Sequence, residues 1–293
     1  MQRCSPMIYK CACCYVDANY IEPAIVSINS FRRFNPNIQL IIGYESGMNL
    51  DLLSAAVGND VEFRAIDVPN HQLAIFSEVG KNNRLFSLFV PDRRAMSAYA
   101  ARIMMLSELK NEFDVILNFD LDTIFCGSVN RLLQECTPAE ISGVSERENR
   151  NRWMTKLNLK EIITSDSYIN TGLVVYGANA IQDLSIYDYF DFLKKYPDDI
   201  YCPEQDYINY RYSDKIRNIP AAYNLMFTDR NYRCVSPVMI HFVGLFKPWS
   251  DSRAIDGADF YFGKYLSEVR KNAEYITDEF VKKIQRNVNF SNL

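Results

Sequence analysis

The sequence predicts an α/β protein with a mainly parallel, mixed central sheet. Short apolar runs of strand length alternate along its 293 residues with longer stretches of helical periodicity. The composition, 48% hydrophobic and 23% charged, is that of a globular chain and excludes a mainly disordered protein. No Gly/Ser linker, repeat or low-complexity block divides the sequence. We therefore expect one large domain over residues 1–250, followed by a C-terminal helical appendage over residues 251–293.

The individual elements follow in chain order from this alternation. Apolar runs bounded by polar or turn-forming residues predict strands, and apolar residues three and four apart predict helices. The predicted strands are residues 7–16, 38–44, 61–66, 115–119, 172–176 and 238–243. The predicted helices are residues 21–33, 50–57, 95–109, 181–195, 204–212 and 260–269. Residues 69–94 and 146–152 are rich in turn-forming or charged residues, and we expect irregular structure there.

Eight cysteines are present, and four of them are crowded near the start: Cys4, Cys11, Cys13 and Cys14. A chain this long does not need a disulfide framework, which is typical of short secreted domains. The cluster lacks a second cysteine pair at zinc-finger spacing, and the sequence has only two histidines. We therefore interpret these cysteines as small buried side chains of the first strand, in a protein of the reducing cytoplasm.

The charge balance and the hydropathy argue against several classes of protein. Lys and Arg total 32 against 36 Asp and Glu, a net charge of −4, which does not favour a nucleic-acid-binding protein. No run of 18 apolar residues is present, so we expect no membrane-spanning segment. The apolar residues 7–16 are interrupted by Lys10 and lack a small-residue cleavage site, which argues against a signal peptide. We expect a cytoplasmic protein.

The strongest local motif is an acid pair that follows an apolar strand. Asp120 and Asp122 come directly after residues 115–119 and are separated by one residue. Ligands of open α/β sheets bind beyond the carboxyl ends of the strands, and alternate residues of extended chain point the same way. Two carboxylates on one face repel each other unless a cation joins them, and a hard divalent ion fits. The alternative is a solvated acid pair in a turn, or a helix cap.

A second motif follows the last predicted strand. His241 is followed at short range by Gly244, Lys247, Pro248 and Trp249. Imidazole can ligate a metal ion, glycine lets the backbone approach a phosphate, and lysine supplies a positive charge for it. A single histidine near apolar residues is more often a hydrogen-bonded core group. Together with the acid pair, however, the motif indicates a metal–diphosphate site with three protein ligands.

Five segments in this order resemble those of glycosyltransferase family 8, a family of retaining enzymes with the GT-A fold. They are Asp17-Ala18-Asn19-Tyr20, Asp120-Leu121-Asp122, Asn170-Thr171-Gly172, Glu204-Gln205-Asp206 and His241-x-x-Gly244-x-x-Lys247-Pro248-Trp249. They span residues 17–249, most of the chain. The resemblance implies a metal-dependent enzyme that moves a hexose, most simply glucose or galactose, from a UDP-sugar to a hydroxyl of a glycan or glycolipid with retention of configuration.

The resemblance also implies roles for the residues around the nucleotide and the sugar. Asp17 and Asn19 would bond to the edge of the uracil, and Tyr20 would stack on its ring. Arg102 matches an arginine near the donor sugar, and Asn170 belongs to a further donor-binding segment. These residues would hold the UDP-sugar, which is the expected donor.

For the metal and the diphosphate, the resemblance implies a second set of residues. Asp120, Asp122 and His241 would be the metal ligands, with Asp120 also touching the ribose. Gly244 and Lys247 would meet the diphosphate. Mn²⁺ is the expected ion and Mg²⁺ the alternative, and the ion would neutralise the leaving diphosphate.

The resemblance places the catalytic segment at Glu204, Gln205 and Asp206. Gln205 stands where the family carries the residue closest to the reacting face of the sugar. Glutamine is a poor nucleophile, so front-face attack within an ion pair and a covalent intermediate both stay open. Glu204 and Glu146 stand where aspartate is common in the family. Their longer side chains affect the contacts with sugar hydroxyls and therefore the choice of donor.

Two other functions remain as alternatives. The first is a degenerate transferase that binds a nucleotide sugar without turning it over, against which the intact metal-ligand set argues. The second is a haloacid-dehalogenase-type phosphatase, whose Asp-x-Asp motif normally continues with Gly-Thr and lies near the N-terminus. In this sequence the motif lies at position 120 and continues with Thr123-Ile124, which argues against a phosphatase.

The C-terminal tail has two interpretations. Basic and aromatic residues accompany several acids in it: Phe280, Lys282, Lys283, Arg286 and Phe290. A basic, aromatic tail is typical of weak peripheral contact with the inner membrane face. The interspersed acids equally favour a surface helix packed on the domain.

Overall fold

The computed structural model describes residues 8–80, 90, 93–146, 168–200, 202–226, 236–244, 247–250 and 259–290. Ten strands lie within these residues: β1 (Lys10–Val16), β2 (Gln39–Tyr44), β3 (Glu62–Ala65), β4 (Val115–Phe119), β5 (Thr123–Phe125), β6 (Ile141–Ser145), β7 (Ile169–Gly177), β8 (Ile216–Asn218), β9 (Leu225–Met226) and β10 (Met239–His241). Seven form a large sheet in the order β3-β2-β1-β4-β7-β6-β8, and three form a small sheet in the order β5-β10-β9. Within the large sheet, the antiparallel pairings are those of β7 with β4 and β6. The predicted α/β class with a mainly parallel mixed sheet is confirmed.

Helices cover both faces of the large sheet. In the described residues they are α1 (Ile21–Phe34), α2 (Asp51–Val57), α3 (Asn70–Gly80), α4 (Arg93–Leu109), α5 (Asn130–Glu135), α6 (Ile186–Lys195), α7 (Pro203–Arg211), α8 (Asp259–Lys271) and α9 (Asp278–Phe290). Helices α1, α2, α5, α8 and α9 contribute to the apolar core on one face, and α3, α4, α6 and α7 to the core on the other. This three-layer arrangement buries the strands from both sides.

The first strand is apolar from Cys11 to Val16 because both of its faces are covered. Successive side chains of a strand point to opposite faces of the sheet. Cys11 and Cys13 accordingly pack into one core, while Ala12 and Cys14 pack into the other, and all four are fully buried. The three cysteines carry free thiols whose pKa values are raised by burial. Their predicted packing role is confirmed, whereas Cys4 lies outside the described residues.

Most of the predicted elements form close to the expected positions, but the interpretation of residues 69–94 as irregular is wrong in part. Residues Asn70–Gly80 form α3, and α4 begins at Arg93. Leu73, Phe76 and Val79 of α3 recur at helical spacing and are buried in the core. Tertiary packing therefore stabilises a helix that is hard to recognise in the sequence, because polar residues flank it. Residues 147–152 of the other irregular segment lie outside the described residues.

The C-terminal segment packs closely on the sheet and on α1. Tyr265 and Val269 of α8 and Ile284 of α9 are fully buried, and they share one core with β1 and α1. A division of the chain near residue 250 stays a prediction. None of the helices in the described part of the chain combines the length and hydropathy needed to cross a membrane.

Candidate active site

The acid pair lies at the junction between the two sheets. The chain leaves β4 at the carboxyl edge of the large sheet, passes through Asp120 and Asp122, and enters β5 of the small sheet. β5 pairs antiparallel with β10, and this register sets His241 opposite Thr123. The amide of Phe242 donates to the carbonyl oxygen of Asp122 at 2.9 Å. Residues far apart in sequence are thereby held side by side.

Asp120, Asp122 and His241 form a cluster of possible metal ligands. The imidazole Nε2 lies 3.3 Å from Asp122 Oδ1 and 3.7 Å from Asp120 Oδ2. One ligand atom from each residue lies within 4.8 Å of the other two. Asp122 Oδ1 is buried and has no hydrogen-bond partner among the residues the structure describes. A buried carboxylate oxygen that faces a second carboxylate and an imidazole is well suited to a divalent cation.

A chain of hydrogen bonds fixes which nitrogen of His241 faces the carboxylates. The amide of Gly172 donates to Asn170 Oδ1 at 2.9 Å, and Asn224 Nδ2 donates to the same oxygen at 2.8 Å. Asn224 therefore turns its own Oδ1 towards His241 Nδ1, 3.0 Å away, and Nδ1 is the donor. The Nε2 lone pair is then free for a metal ion. The side-chain amide of Asn224 orients the ring through Nδ1, as hydrogen-bond partners of metal-binding histidines do.

Gly172 makes room for this imidazole. A Cβ atom at position 172 would lie 2.1 Å from Cε1 and 2.2 Å from Nδ1 of His241. Such distances are far below van der Waals contact, so any side chain here would displace the ring. The Asn170-Thr171-Gly172 segment thus positions the histidine twice, through a hydrogen-bond chain and through the absence of a side chain.

Lys247 supplies the positive charge nearest to the cluster. Its ammonium group contacts Asp122 Oδ2 and also donates to the carbonyl oxygen of Phe242 at 2.7 Å. Burial alone would raise the pKa of Asp122, but the neighbouring Lys247 ammonium and His241 imidazole hold it well below its ordinary value. Asp122 is therefore ionised at neutral pH. Gly244, in the same loop, has a φ of 78°, a left-handed conformation that favours glycine.

Arg102 of α4 joins two carboxylates on the other side of Asp120. Its Nη1 lies 2.5 Å from Asp120 Oδ1 and 3.1 Å from Glu204 Oε2, while Nη2 donates to Asn118 Oδ1 and to the carbonyl of Thr171. Glu204 is completely buried, and neither of its oxygens receives a well-aligned hydrogen bond from the described residues. Burial raises the pKa of Glu204 to about 7; the charge of Arg102 opposes this effect and that of Asp120 adds to it.

The side-chain amide of Gln205 is held by four hydrogen bonds. Its Oε1 accepts from the backbone amide of Thr171 and from Asn170 Nδ2, both at 3.1 Å. Its Nε2 donates to Glu146 Oε2 at 2.8 Å and to the Tyr168 hydroxyl at 2.9 Å. Because the Thr171 partner is an N–H group, the orientation of the amide is determined. Oxygen and nitrogen are both committed, and the side chain is fixed against the sheet.

Asp206 lies behind Gln205 and stabilises the start of α7. It accepts hydrogen bonds from the backbone amide of Cys202 at 2.8 Å and from the Tyr168 hydroxyl at 2.6 Å. Pro203 occupies the first turn, where its missing N–H group costs nothing. Asn209 ties the same helix to β7 through both the N–H and the carbonyl of Ile169. The segment predicted to be catalytic is therefore held firmly next to Asn170.

The turn after β1 lies at the same edge of the sheet, because β1 and β4 are parallel neighbours. Asp17 Oδ1 accepts from the amide of Asn19 at 2.8 Å, and Arg94 donates to Asn19 Oδ1 at 2.8 Å. The rings of Tyr20 and Trp249 form a T-shaped pair with their centroids 6.0 Å apart. The pKa of Tyr20 is raised by burial and then by the charges of Asp122, Asp17 and Asp120, which places this ring near the carboxylates of the candidate metal-ligand cluster.

With this geometry in place, the comparisons with known proteins identify the family. The family model described as glycosyl transferase family 8 matches residues 11–253. The chain belongs to glycosyl transferase family 8. Every segment named above lies within the matched residues. Membership in this family also removes the phosphatase alternative.

Solved structures agree with the family 8 assignment at the level of the fold. The galactosyltransferase LgtC, solved with donor and acceptor sugar analogs, has a TM-score of 0.67 at 20% identity and covers 93% of this chain and 99% of LgtC. The bifunctional glycosyltransferase WbbM has a TM-score of 0.65 at 16% identity and covers 97% of this chain and 53% of WbbM. Mouse xyloside xylosyltransferase 1 has a TM-score of 0.53 at 14% identity, with 80% and 98% covered. The predicted GT-A fold is confirmed. No curated protein gives a significant match.

The structure thus brings together most of the residues that the sequence singles out in this family 8 chain. The three candidate metal ligands Asp120, Asp122 and His241 lie together, with Lys247 in contact with Asp122 and Arg102 in contact with Asp120. Sequence reasoning missed Asn224 and Tyr168, which hold His241 and Gln205 through side-chain hydrogen bonds. No pattern in the sequence marks them, because their partners come from other elements of the fold.

Proposed function

We propose that this family 8 glycosyltransferase transfers a hexose, glucose or galactose, from a UDP-sugar to a hydroxyl of a glycan or glycolipid with retention of configuration. The observation that supports this proposal is the ligand cluster of Asp120, Asp122 and His241 beside Lys247. A leaving diphosphate needs positive charge to stabilise it, and these residues can gather a divalent ion and an ammonium group at one place.

In this proposal Asp120, Asp122 and His241 hold the divalent ion, which when bound supplies the charge that stabilises the departing diphosphate. One imidazole among the ligands favours Mn²⁺, because Mg²⁺ strongly prefers an all-oxygen environment. Asp122 serves as an ionised ligand at neutral pH, since its pKa is held low. Asn224 keeps the Nε2 of His241 directed at the two carboxylates.

The remaining residues bind and orient the donor in this proposal. Asp17 and Asn19 bond to the uracil edge, and Tyr20 stacks on its ring, as a half-buried aromatic next to Trp249 is able to do. Gly244 leaves open space beside its backbone, because a Cβ atom there would meet nothing within 4 Å. The backbone of this loop is accordingly free to approach a phosphate.

The fixed amide of Gln205 supports front-face attack over a covalent intermediate. Its oxygen already accepts two hydrogen bonds, and an amide oxygen is a weak nucleophile. We propose that Gln205, whose hydrogen bonds are all made within the protein, forms part of the fixed surface on which the sugar lies, and that the departing phosphate accepts the proton of the acceptor hydroxyl. In this proposal Glu204 positions Arg102, and Asp206 stabilises the start of α7. A covalent sugar–protein adduct, found by mass spectrometry of the intact protein during turnover, would contradict this mechanism.

We propose that the acceptor is a glycan or glycolipid and that the protein is cytoplasmic. The contacts of the C-terminal helix α9 bear on whether the protein also touches a membrane. Phe280 of α9 packs against Trp249 with ring centroids 5.9 Å apart, and Lys283 pairs with Glu279 at 3.1 Å. These contacts favour a surface helix packed on the domain over a membrane anchor. The side chain of Phe290 lies outside the described residues.

The proposed function is tested by measuring sugar release from UDP-sugars with Mn²⁺. We expect slow hydrolysis of UDP-glucose or UDP-galactose, with an α-configured product seen by NMR. The variant Asp122→Asn should lose turnover by about 100-fold or more while keeping its fold, because the residue serves the ion and not the core. Asp60→Asn is the matched control, since Asp60 is 64% exposed in a surface ion pair with Arg32.

Two outcomes would contradict the proposal. Full activity of Asp122→Asn with Mn²⁺ would show that the metal assignment is wrong. Tight UDP binding without turnover of any UDP-sugar would favour the degenerate transferase. Loss of activity in Asp60→Asn as well would mean that the assay reports stability and not the site.

A further inference from the structure

Lys247 occupies a position that the proposed diphosphate role alone does not explain. Its ammonium contacts Asp122 Oδ2 and donates to the Phe242 carbonyl at 2.7 Å, and the lysine and aspartate side chains are only 15% and 11% exposed. The other oxygen of the same carboxylate, Oδ1, faces His241 Nε2 at 3.3 Å. The Asp122 carboxylate therefore contacts the lysine with one oxygen and faces the candidate metal position with the other.

An ammonium and a divalent ion compete for this carboxylate. The two oxygens of one carboxylate are so close that cations bound to both repel each other strongly in a partly buried site. Without any cation, Asp122 would face Asp120 with its charge uncompensated, which is costly at this depth. Lys247 removes that cost in the ion-free protein, and any ion that binds must overcome its presence.

We propose that in the ion-free protein the Lys247 ammonium neutralises Asp122 in place of the divalent ion. The ion then binds tightly only together with a diphosphate, because the diphosphate attracts the ammonium away from Asp122. This inference rests on the proposed function and adds to it the coupling between its two ligands. The lysine side chain is long and flexible, so its ammonium can exchange one anion for another without moving the backbone. Metal and nucleotide then bind as linked ligands.

The test is the affinity for Mn²⁺ alone, followed by the electron paramagnetic resonance signal of the free ion. Lys247→Gln removes the competing charge, so we expect its affinity for Mn²⁺ to increase about tenfold over the wild type, while its affinity for UDP with Mn²⁺ falls. Lys247→Arg keeps the charge and should retain the weak binding of Mn²⁺ alone. Lys264→Gln is the matched control, because Lys264 lies over the Phe260 ring in α8, outside the site.

A second measurement uses the wild-type protein and does not depend on any variant. Acetylation of lysines, read by mass spectrometry, should be slow at Lys247 in the ion-free protein. It should become faster with saturating Mn²⁺ alone and slow again with Mn²⁺ and UDP together. The rate at Lys264 should not change. Equal rates at Lys247 with and without Mn²⁺ would overturn the inference.

The failure of this inference is distinguishable from failure of the proposed function. Mn²⁺ affinity that is equal or weaker in Lys247→Gln overturns the lysine's role, even if Mn²⁺ and UDP bind together and the sugar is transferred. Absence of saturable Mn²⁺ binding in the presence of UDP overturns both the metal assignment and the inference. Opposite changes in the two affinities support the inference.

Discussion

At the scale of single residues, Glu204 is the most deeply buried carboxylate in the part of the chain that the structure describes. It is fully buried, its pKa is raised to about 7, and Arg102 is the cation beside it. The neutral acid is therefore favoured in the folded state, and this contribution to stability is complete below its ordinary pKa of 4.5. It is lost as the pH rises through about 7, where the buried group must ionise.

The variant Glu204→Gln keeps the neutral form at every pH. We expect its melting temperature to equal that of the wild type near pH 4.5 and to exceed it at pH 8, with a difference of about 3 kcal/mol at most in the free energy of unfolding. Glu135→Gln is the control, because Glu135 is 50% exposed in a surface pair with Arg131. A melting difference independent of pH would show that Glu204 ionises freely in the folded protein.

The candidate metal ligands were predictable from the sequence, and the residues that orient them were not. Asp120, Asp122 and His241 stand out because acids after an apolar strand and a rare histidine are unusual. Asn224 is fully buried and decides which nitrogen of His241 faces the carboxylates, but a single asparagine in a short segment is common in any sequence. Its role depends on a contact with a residue 54 positions away.

At the scale of secondary-structure elements, the approach of β7 to β10 depends on Gly172. We expect Gly172→Ala to displace His241, because the new Cβ atom would lie 2.1 Å from the imidazole ring. The expected cost is about 1–3 kcal/mol in the free energy of unfolding, as for other overpacked sites, with loss of Mn²⁺-dependent UDP binding. Denaturant unfolding and calorimetric titration measure the two effects.

Gly263→Ala in α8 is the matched control for this substitution. A Cβ atom at position 263 meets nothing within 4 Å, and alanine favours a helix over glycine by about 1 kcal/mol. This control should be as stable as the wild type or more stable, with UDP binding unchanged. If Gly172→Ala binds Mn²⁺ and UDP as the wild type does, the position of the His241 imidazole does not depend on the absence of a side chain at residue 172.

The elements that the sequence missed include three of the shortest strands. β8 and β9 have three and two residues, and β5 has three, so none shows a measurable period. They exist because neighbours pair with them: β5 is held by β10, and β8 by β6. The five-residue buried strand β4 was predicted at its observed bounds, since a continuous apolar run is visible without knowledge of its partners.

At the scale of the whole molecule, a net charge of −4 is unfavourable for a dianionic ligand unless positive charge is gathered locally. We therefore expect UDP to raise the melting temperature by about 5 °C with Mn²⁺ at saturating concentrations, and hardly at all in EDTA. Thermal unfolding followed by circular dichroism measures this shift. Uridine, which lacks the diphosphate, is the control and should act equally with and without Mn²⁺.

Equal stabilisation by UDP in EDTA would contradict this expectation. It would mean that the protein's own cations, including Lys247 and Arg102, neutralise the diphosphate without an ion. If uridine raises the melting temperature only in the presence of Mn²⁺, the ion would instead lie away from the phosphates.

The route of the chain between the two sheets has a consequence for how the protein acquires activity. Asp122 precedes β5, whereas His241 ends β10, and the two strands pair only after more than a hundred intervening residues have been synthesised. Contacts between such distant segments form late, because closing a long loop must precede them. A chain with β1 to β4 already folded would therefore still lack the complete set of proposed metal ligands. Activity is accordingly a stricter test of complete folding in this protein than its helix content.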